Sequence, residues 1–305
     1  MGPTATGKTQ LAIRLSKYYP IEIISVDSAL IYKDMNIGTA KPSFDELNSV
    51  PHHLIDIIFP TDSYSVANFI NDSLQLIDEI NQRGKIPVLV GGTMMYFNGL
   101  LNGISNLPEA NPSIRNELFI KGTTIGFDKL HQELLAIDAI AGAKIMPNDR
   151  QRIIRALEVF YLTGVPISKL QQENKVKNRE DINYIPLAIL PSQRDILHTR
   201  INQRFEQMLM TGFVEEVKEL KHKYPTLTLE HSSMRSVGYY QVWEYLSGNL
   251  NYQQMVEAGM AATRQLAKRQ ITWLRSMDII NIAKSELELN QLFNNLLDKL
   301  KLLVK

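Results

Sequence analysis

Short apolar runs rich in Ile, Val and Leu recur along the chain, and polar or glycine-rich turns follow each of them. Four runs predict β-strands, at residues 21–27, 86–92, 184–190 and 279–283. Amphipathic helical patterns alternate with these runs, as they do in folds where helices connect parallel strands. The pattern therefore predicts an α/β fold built on a parallel sheet.

The interval between the second and third runs is long and helical in pattern. Apolar residues recur at helical spacing around residues 112–121, 128–140 and 149–163, and Pro, Gly and Asn separate these segments. We expect residues 105–183 to form a mostly helical insertion domain, and residues 1–104 and 184–305 to form the core.

Residues 2–9, Gly-Pro-Thr-Ala-Thr-Gly-Lys-Thr, match the G-x-x-x-x-G-K-[ST] pattern of phosphate-binding loops. In such a loop the backbone amides point at one anion, the lysine adds positive charge, and the last hydroxyl can ligate a phosphate-bound Mg²⁺. A glycine-rich turn without a ligand is the alternative, but apolar residues at helical spacing follow the loop and favour a helix aimed at phosphates. We predict phosphate binding, with Mg²⁺ at Thr9, by Gly2, Pro3, Thr4, Ala5, Thr6, Gly7, Lys8 and Thr9.

The strand that normally precedes a phosphate-binding loop has no counterpart here, because no residues precede Met1. We expect Met1 to be an internal residue of a longer chain.

Two polar groups follow predicted strands at the edge where α/β proteins bind ligands. Asp27 ends the first run, and its carboxylate suits a magnesium ligand or a general base, although a helix N-cap is the alternative. The turn Gly91-Gly92-Thr93 ends the second run. Its backbone amides could hold a second anion or contact a base, or it could be a plain strand-to-helix turn.

Basic residues dominate one predicted helix. Between Ala258 and Met277 there is no acidic residue. At about 100° per residue, one face carries Met255, Gly259, Ala262, Leu266 and Trp273, and the opposite face carries Arg264, Lys268 and Arg275. A face of one charge sign favours an anionic partner.

Other polar residues have less specific patterns. Arg235 lies among small residues, where a guanidinium could clamp a diphosphate or form a surface salt bridge. In the insertion, Gln151, Arg155 and Glu158 oppose Ile153, Ile154, Leu157 and Phe160, so a polar face is predicted with Arg152 at its margin. For the adjacent pair His52-His53, packing or loop hydrogen bonding is favoured over metal binding, because neighbouring side chains on extended backbone point apart.

Composition narrows the class of protein. The 305 residues are 44% hydrophobic and 21% charged, with a formal net charge of +1, so a uniformly basic nucleic-acid coat is excluded. The absence of cysteine excludes disulfides, thiolate catalysis and thiolate zinc sites. No apolar run approaches the roughly 18 residues of a membrane span, so we expect no membrane association and a cytoplasmic protein.

Several motifs together resemble the bacterial tRNA dimethylallyltransferases, also called tRNA isopentenyltransferases, and the similarity runs nearly end to end. They are the loop at 2–9, Asp-Ser-Ala-Leu-Ile-Tyr at 27–32, Gly-Thr-Ala-Lys-Pro at 38–42, Val-Gly-Gly-Thr at 90–93, Asn-Asp-x-Gln-Arg at 148–152, Arg-Ser-Val-Gly-Tyr at 235–239 and Arg-Gln-Leu-Ala-Lys-Arg-Gln at 264–270. The resemblance implies a P-loop NTPase/kinase-like core whose helical insertion grips the tRNA anticodon stem-loop, in a monomer.

The resemblance also implies an activity. Enzymes of this family transfer a dimethylallyl group from dimethylallyl diphosphate to the exocyclic N6 amine of the adenosine just 3′ of the anticodon, in tRNAs that read codons beginning with U. Asp27 would be the general base, and Thr9 and Arg235 would act with Lys8 and Mg²⁺ on the diphosphate. The implied tRNA contacts are Asp27, Ser28, Ala29, Leu30, Thr93, Arg115, Gln151, Arg152, Ile153, Ile154, Arg155, Arg264 and Lys268.

Alternatives from other classes share part of this pattern. A small-molecule kinase would use the same loop, a free-adenylate isopentenyltransferase would use the same chemistry without tRNA, and a P-loop regulatory module would bind without catalysis. The large insertion and the basic helix favour the tRNA enzyme over the free-nucleotide enzyme.

Overall fold

A computed structural model of the chain describes residues 1–173, 179–191, 193–277, 279–284 and 289–303. The strands are β1 Ile21–Val26, β2 His52–His53, β3 Ile86–Gly91, β4 Leu187–Leu190 and β5 Ile280–Lys284. The helices are α1 Lys8–Leu15, α2 Phe44–Ser49, α3 Val66–Gln82, α4 Met94–Asn102, α5 Pro112–Ile125, α6 Phe127–Ile137, α7 Ala139–Lys144, α8 Arg150–Thr163, α9 Ile167–Glu173, α10 Arg194–Met210, α11 Phe213–Lys223, α12 Tyr239–Leu246, α13 Tyr252–Arg275 and α14 Leu289–Leu303.

All strand pairs are parallel, as the alternation of strands and helices predicts. One sheet has the order β2-β1-β3, and a second sheet pairs β4 with β5. Every residue of the central strand β1 is buried, and four of its six residues are Ile or Val, as expected of a strand covered on both faces. The prediction of an α/β fold is confirmed, and β2 is an additional short strand that the apolar pattern did not indicate.

The chain divides into two compact units. The first contains Met1–Asn98 and Asn183–Lys305, and the second contains Gly99–Ile182. The second unit is helical and has its own apolar core, formed by α5, α6 and α8 with residues such as Leu130, Leu134 and Leu157. Its bounds differ from the predicted insertion at residues 105–183 mainly at the start, where it begins six residues earlier.

The backbone next to the phosphate-binding loop pairs with β4. The Met1 amino group donates to Leu187 O (2.7 Å), and Ile189 N donates to Met1 O (3.0 Å). The loop therefore leaves from the edge of the β4–β5 sheet. That Met1 is internal to a longer chain stays a prediction.

A buried acid holds β1, β2 and α3 together. Glu22 on β1 accepts hydrogen bonds from His53 (2.7 Å) and from Arg83 (2.8 and 3.1 Å), and Lys85 lies 3.1 Å away. His52 Nδ1 is bonded to Val50 O at 2.8 Å. These contacts confirm the interpretation of His52-His53 as hydrogen-bonded residues of the fold.

The long helix α13 is rotated relative to the predicted orientation. It packs against α10 and α12, and its buried residues are Met255, Gly259, Ala267, Gln270 and Leu274. Trp273, which the pattern placed on the core face, is 40% exposed. The prediction is confirmed for Met255 and Gly259 and is wrong for Trp273, because the small and polar residues Ala267 and Gln270 extend the packed stripe to one side. Among the described residues, no helix has both the length and the apolar character needed to cross a membrane.

Candidate active site

The phosphate-binding loop adopts a tight turn before α1. Gly7 is the N-cap residue in the left-handed region (φ 80°), which glycine adopts without strain. Thr6 Oγ1 and Lys8 Nζ both donate to Pro3 O, at 2.8 and 2.6 Å. The loop is therefore closed by its own side chains, and it presents the start of α1 to a cavity.

That cavity has a volume of about 180 Å³ and lies within the first unit. Its polar lining includes Thr4, Lys8, Thr9, Asp27, Arg204 and Gln270. Its apolar lining includes Leu30, Ile201, Phe205, Met208 and Leu266. One end can therefore bind an anion, and another part can accept a short hydrocarbon group.

Two cations face the same cavity. Burial and the nearby Arg204 together lower the pKa of Lys8 to about 8, although Asp27 opposes both effects. Burial also lowers the pKa of Arg204. Arg204 NH1 lies 3.4 Å from Thr4 Oγ1, so its guanidinium is next to the loop. Bringing two positive charges into a partly buried site is unfavourable alone and becomes favourable when an anion occupies it.

Asp27 follows β1 at the edge of the sheet, as predicted, and lines the cavity. Its Oδ1 accepts hydrogen bonds from Ala29 N (2.9 Å) and Leu30 N (3.4 Å). The carboxylate therefore orients its own loop while remaining at the cavity wall. The alternative interpretation of Asp27 as a helix N-cap is not borne out, because the residues that follow it form a turn and not a helix. Its catalytic role stays a prediction.

The turn after β3 lies beside Asp27. Thr93 Oγ1 accepts a hydrogen bond from Ser28 N at 3.0 Å, and Thr93 N donates to Val26 O at 3.1 Å. The sequence therefore brings Asp27, Ser28 and Thr93 together, as the ends of neighbouring parallel strands require.

A second loop, residues 36–40, forms another part of the wall through Gly38, Thr39 and Ala40. The buried carboxylate of Glu216 accepts hydrogen bonds from Asn36 N, Ile37 N and Gly38 N at 2.7–3.2 Å. Tyr239 OH donates to the same carboxylate (2.6 Å). Glu216 thus fixes the shape of this wall.

Lys41, in the same motif as Gly38, is a structural cation. Its side chain is 5% exposed, and Nζ donates to Tyr32 O (3.0 Å), Asn36 Oδ1 (2.8 Å) and Asp56. These bonds connect the loop to Tyr32 and Asp56. The carboxylate of Asp56 compensates the positive charge of Lys41.

The oxygen donors of the cavity fit a hard divalent cation. Thr9 and Asp27 both line it, and they offer a hydroxyl and a carboxylate close to the phosphate-binding loop. Mg²⁺ typically takes one or two protein oxygens and completes its shell with phosphate and water. The residues present are therefore compatible with Mg²⁺ bound together with a diphosphate.

Arg235 has a different position from the other predicted diphosphate ligands. Its side chain is exposed, while the next two residues, Ser236 and Val237, line the cavity. The arginine that lines the cavity, beside Lys8, is Arg204. A sequence signal for Arg204 did exist, because it lies within the apolar stripe Leu197, Ile201, Phe205 of α10, where a charge is unexpected.

In the helical unit, the predicted tRNA-contact residues separate into two groups. Gln151 and Arg152 are exposed, whereas the Ile153 side chain is fully buried and Ile154 packs against the core. The side chain of Ile153 belongs to the α8 stripe that forms the core of the unit, and contact of Ile153 with RNA stays a prediction.

The predicted polar face of α8 was wrong for Glu158, which is fully buried. Its carboxylate accepts hydrogen bonds from Asn111 N (2.6 Å), Arg115 Nε (3.0 Å) and Arg155 NH1 (2.7 Å). Arg155 also donates to Pro108 O (2.7 Å). Arg115 and Arg155 are therefore tied to the fold of this unit, in addition to any contact with RNA.

The basic residues of α13 also differ from one another. Lys268 and Arg275 are exposed, as predicted. Arg264 is partly buried and donates to Asn202 Oδ1 of α10 (2.9 Å), so the prediction that it lies on the outer face was wrong. The exposed basic stripe consists of Lys268, Arg269 and Arg275.

Comparison with known proteins gives consistent matches. A family model described as IPP transferase matches residues 30–277. The tRNA dimethylallyltransferase of Chromobacterium violaceum is 50% identical over 282 residues, covering 92% of this chain and 86% of the relative. That of Legionella pneumophila (strain Paris) is 54% identical over 275 residues, covering 90% and 87%.

Solved structures are similar across almost the whole chain. The tRNA delta(2)-isopentenylpyrophosphate transferase of Staphylococcus epidermidis has a TM-score of 0.68 at 31% identity, covering 99% of this chain and 97% of that structure. A eukaryotic dimethylallyltransferase acting on tRNA has a TM-score of 0.79 at 27% identity, covering 98% and 75%.

Proposed function

Because this chain belongs to the IPP transferase family, we propose that it transfers a dimethylallyl group from dimethylallyl diphosphate to the N6 amine of an adenosine in tRNA. The family resemblance supports the adenosine 3′-adjacent to the anticodon, in tRNAs that read codons beginning with U. It also supports a cytoplasmic monomer.

The observation that carries this proposal is the composition of the cavity in the first unit. A phosphate-binding loop, a carboxylate and an apolar surface line the same space of about 180 Å³. A prenyl diphosphate needs an anion site joined to an apolar site, and an amine acceptor needs a base. The three parts of the wall supply these requirements.

The chemistry assigns a step to each group. The N6 lone pair forms a bond to the first carbon of the dimethylallyl group, and the bond from that carbon to the bridging oxygen breaks, with its electron pair leaving on diphosphate. N6 is a weak nucleophile because its lone pair is shared with the ring, so Asp27 takes the proton as the bond forms. The hydrogen bonds from Ala29 and Leu30 to Oδ1 orient the carboxylate for this transfer.

The diphosphate accumulates negative charge as it leaves. Lys8, Arg204 and the amides at the start of α1 are preorganised to stabilise that charge. We also propose that Thr9 holds a Mg²⁺ ion, which would neutralise phosphate charge when bound. Arg235 would reach the diphosphate or the RNA from the edge of the cavity, next to Ser236.

RNA binding is assigned to exposed polar residues on each unit. On the helical unit, Gln151 and Arg152 are available for unstacked loop bases, supported by Arg115 and Arg155. On the first unit, Lys268 would contact the phosphate backbone, and Ser28, Ala29, Leu30 and Thr93 would contact the flipped adenosine beside Asp27.

The direct test is to incubate the protein with dimethylallyl diphosphate, Mg²⁺ and unmodified tRNA, and then to identify the modified nucleosides by mass spectrometry. We expect dimethylallyl adenosine at the position 3′ of the anticodon. Parallel reactions contain ATP with small nucleosides, or dimethylallyl diphosphate with free AMP. Phosphoryl transfer without prenyl transfer would identify a kinase, and prenylation of AMP but not tRNA would identify the free-nucleotide enzyme.

A further inference from the structure

Gln270 of α13 connects two loops of the candidate active site. Its Oε1 accepts a hydrogen bond from Thr4 N of the phosphate-binding loop (2.9 Å), and its Nε2 donates to Gly92 O after β3 (2.8 Å). Gln270 is 9% exposed and lies on the buried face of α13, where apolar residues are the norm. A single buried amide thus uses its donor and its acceptor on different loops.

The connection continues to the proposed base. Gly92 precedes Thr93, and Thr93 Oγ1 accepts a hydrogen bond from Ser28 N, next to Asp27. A continuous path of short contacts therefore runs from the loop for the leaving group, through Gln270 and the β3 turn, to the carboxylate.

Any side chain added at Gly92 would meet the amide group of Gln270. A Cβ on Gly92 would lie 2.4 Å from Nε2 of Gln270. A methyl group there would displace the amide from both loops. The nearest atom is the end of the Gln270 side chain, so Gly92→Ala perturbs this contact by moving the amide.

We propose that Gln270 is a positioning residue that sets the distance between the diphosphate end of the site and Asp27. Group transfer depends on that distance, because the attacking nitrogen, the transferred carbon and the leaving oxygen must be aligned. The expected change in kcat rests on the proposed function. The expected change in diphosphate binding by the phosphate-binding loop rests on the geometry alone.

Three substitutions separate positioning from packing. Gln270→Met keeps the volume and removes both hydrogen bonds. Gln270→Glu keeps the acceptor for Thr4 N but, when ionised, places a second acceptor against Gly92 O; its protonated form has one acceptor and one donor, like glutamine. Gly92→Ala disturbs the same contact from the opposite side. Gln253→Met, on the exposed start of α13, is the matched control.

The measurements are kcat and KM for dimethylallyl diphosphate and a tRNA stem-loop, the Kd of inorganic diphosphate, and the melting temperature. We expect Gln270→Met and Gly92→Ala to lower kcat about 10- to 100-fold and to weaken diphosphate binding, with stem-loop affinity within about twofold and Gln253→Met unchanged. For Gln270→Glu, kcat relative to wild type should rise from pH 8 to pH 6. The other charged groups of the cavity, Lys8, Asp27 and Arg204, are present in both proteins.

A kcat and a diphosphate Kd within about twofold of wild type in Gln270→Met would overturn the proposal. So would equal deficits in the Met and Glu variants at every pH, because protonated Glu restores the donor and the acceptor and should then restore part of the activity. If Gln270→Met fails to fold, the pH dependence of Gln270→Glu decides. If the wild type transfers no prenyl group, the proposed function fails, while the diphosphate Kd of the variants still decides whether Gln270 positions the loop.

Discussion

The Arg155 guanidinium lies 2.7 Å from the carboxylate of Glu158, one turn away on α8, and that carboxylate is completely buried. Arg115 bonds to the same acid from α5. Glu158 therefore joins α8 to α5, two helices of the core of the helical unit. Because both arginines bond to this buried acid, the sequence alone cannot identify them as residues that only contact RNA.

Replacing Arg155 by Met should therefore destabilise the chain. We expect a loss of about 1–3 kcal/mol in the free energy of unfolding, because a buried carboxylate loses one partner while Arg115 remains. Urea unfolding measures it. Gln151→Ala, on the exposed side of α8, should change stability by less than about 0.5 kcal/mol and instead alter discrimination among anticodon-loop sequences. Equal stability of both variants would contradict this division.

Asp27→Asn tests the proposed base. Asparagine can still accept the hydrogen bond from Ala29 N, so the loop should keep its shape, while the basicity is lost. Turnover should fall about 10²–10⁴-fold, with the Kd of inorganic diphosphate little changed. The measurement is single-turnover kinetics of Asp27→Asn. Asp45→Asn, at an exposed position on α2, is the control. Near-normal turnover would remove Asp27 from the chemical step.

Arg204 and Arg235 are the two candidate arginine ligands of the diphosphate. Arg204→Met should raise the Kd of inorganic diphosphate by at least about tenfold, because a charge-assisted hydrogen bond is worth roughly 1.5–3 kcal/mol. Calorimetric titration measures it directly. Arg235→Ala should slow chemistry while tRNA binding persists. If Arg235→Ala instead abolishes tRNA binding and leaves single-turnover chemistry intact, Arg235 belongs to the RNA-binding surface.

Lys268 is the test of backbone contact by α13. Loss of one phosphate contact should lower affinity and reduce the slope of log affinity against log salt by about 0.7–0.9. A salt series with cognate and mismatched stem-loops shows whether the loss is independent of sequence. Lys17→Ala removes the same charge from the turn after α1 and should leave the slope unchanged. The same slope for wild type and Lys268→Ala would exclude contact with the RNA backbone.

From the hydrogen bonds of Glu22 we expect the free energy of unfolding to depend on pH. Hydrogen bonds from Arg83, together with those from His53 and Lys85, lower the pKa of Glu22 to about 2, although burial opposes them. The contribution of this carboxylate is therefore complete above its unfolded pKa near 4.5 and is lost as the pH falls toward 2. Glu22→Gln should cost about 1–3 kcal/mol at pH 7.

The difference between Glu22→Gln and wild type should shrink when urea unfolding is repeated at pH 3. Glu206→Gln, on the exposed side of α10, is the control, and its free energy of unfolding should equal that of wild type at pH 7 and at pH 3. A difference that stays constant between pH 7 and pH 3 would show that ionisation of Glu22 does not stabilise the fold.

The sequence alone determined the α/β class, four of the five strands found among the described residues, and the place of the phosphate-binding loop beside Asp27 and Thr93. Those features depend on local periodicity and on short motifs, and the ends of parallel strands must share one edge of a sheet. The residues at that edge could therefore be named before any contact was known.

Only the tertiary structure decided which polar residues are buried. Arg204, Glu158 and Gln270 each lie on a helix face that packs against another element, and the partners Thr4, Arg115 and Thr4 are 200, 43 and 266 positions away in the chain. A periodic pattern describes one helix and contains no information about the polar group that its neighbour presents. For that reason the orientation of α13, the structural use of Arg155 and the bridge made by Gln270 became visible only when the helices were packed together.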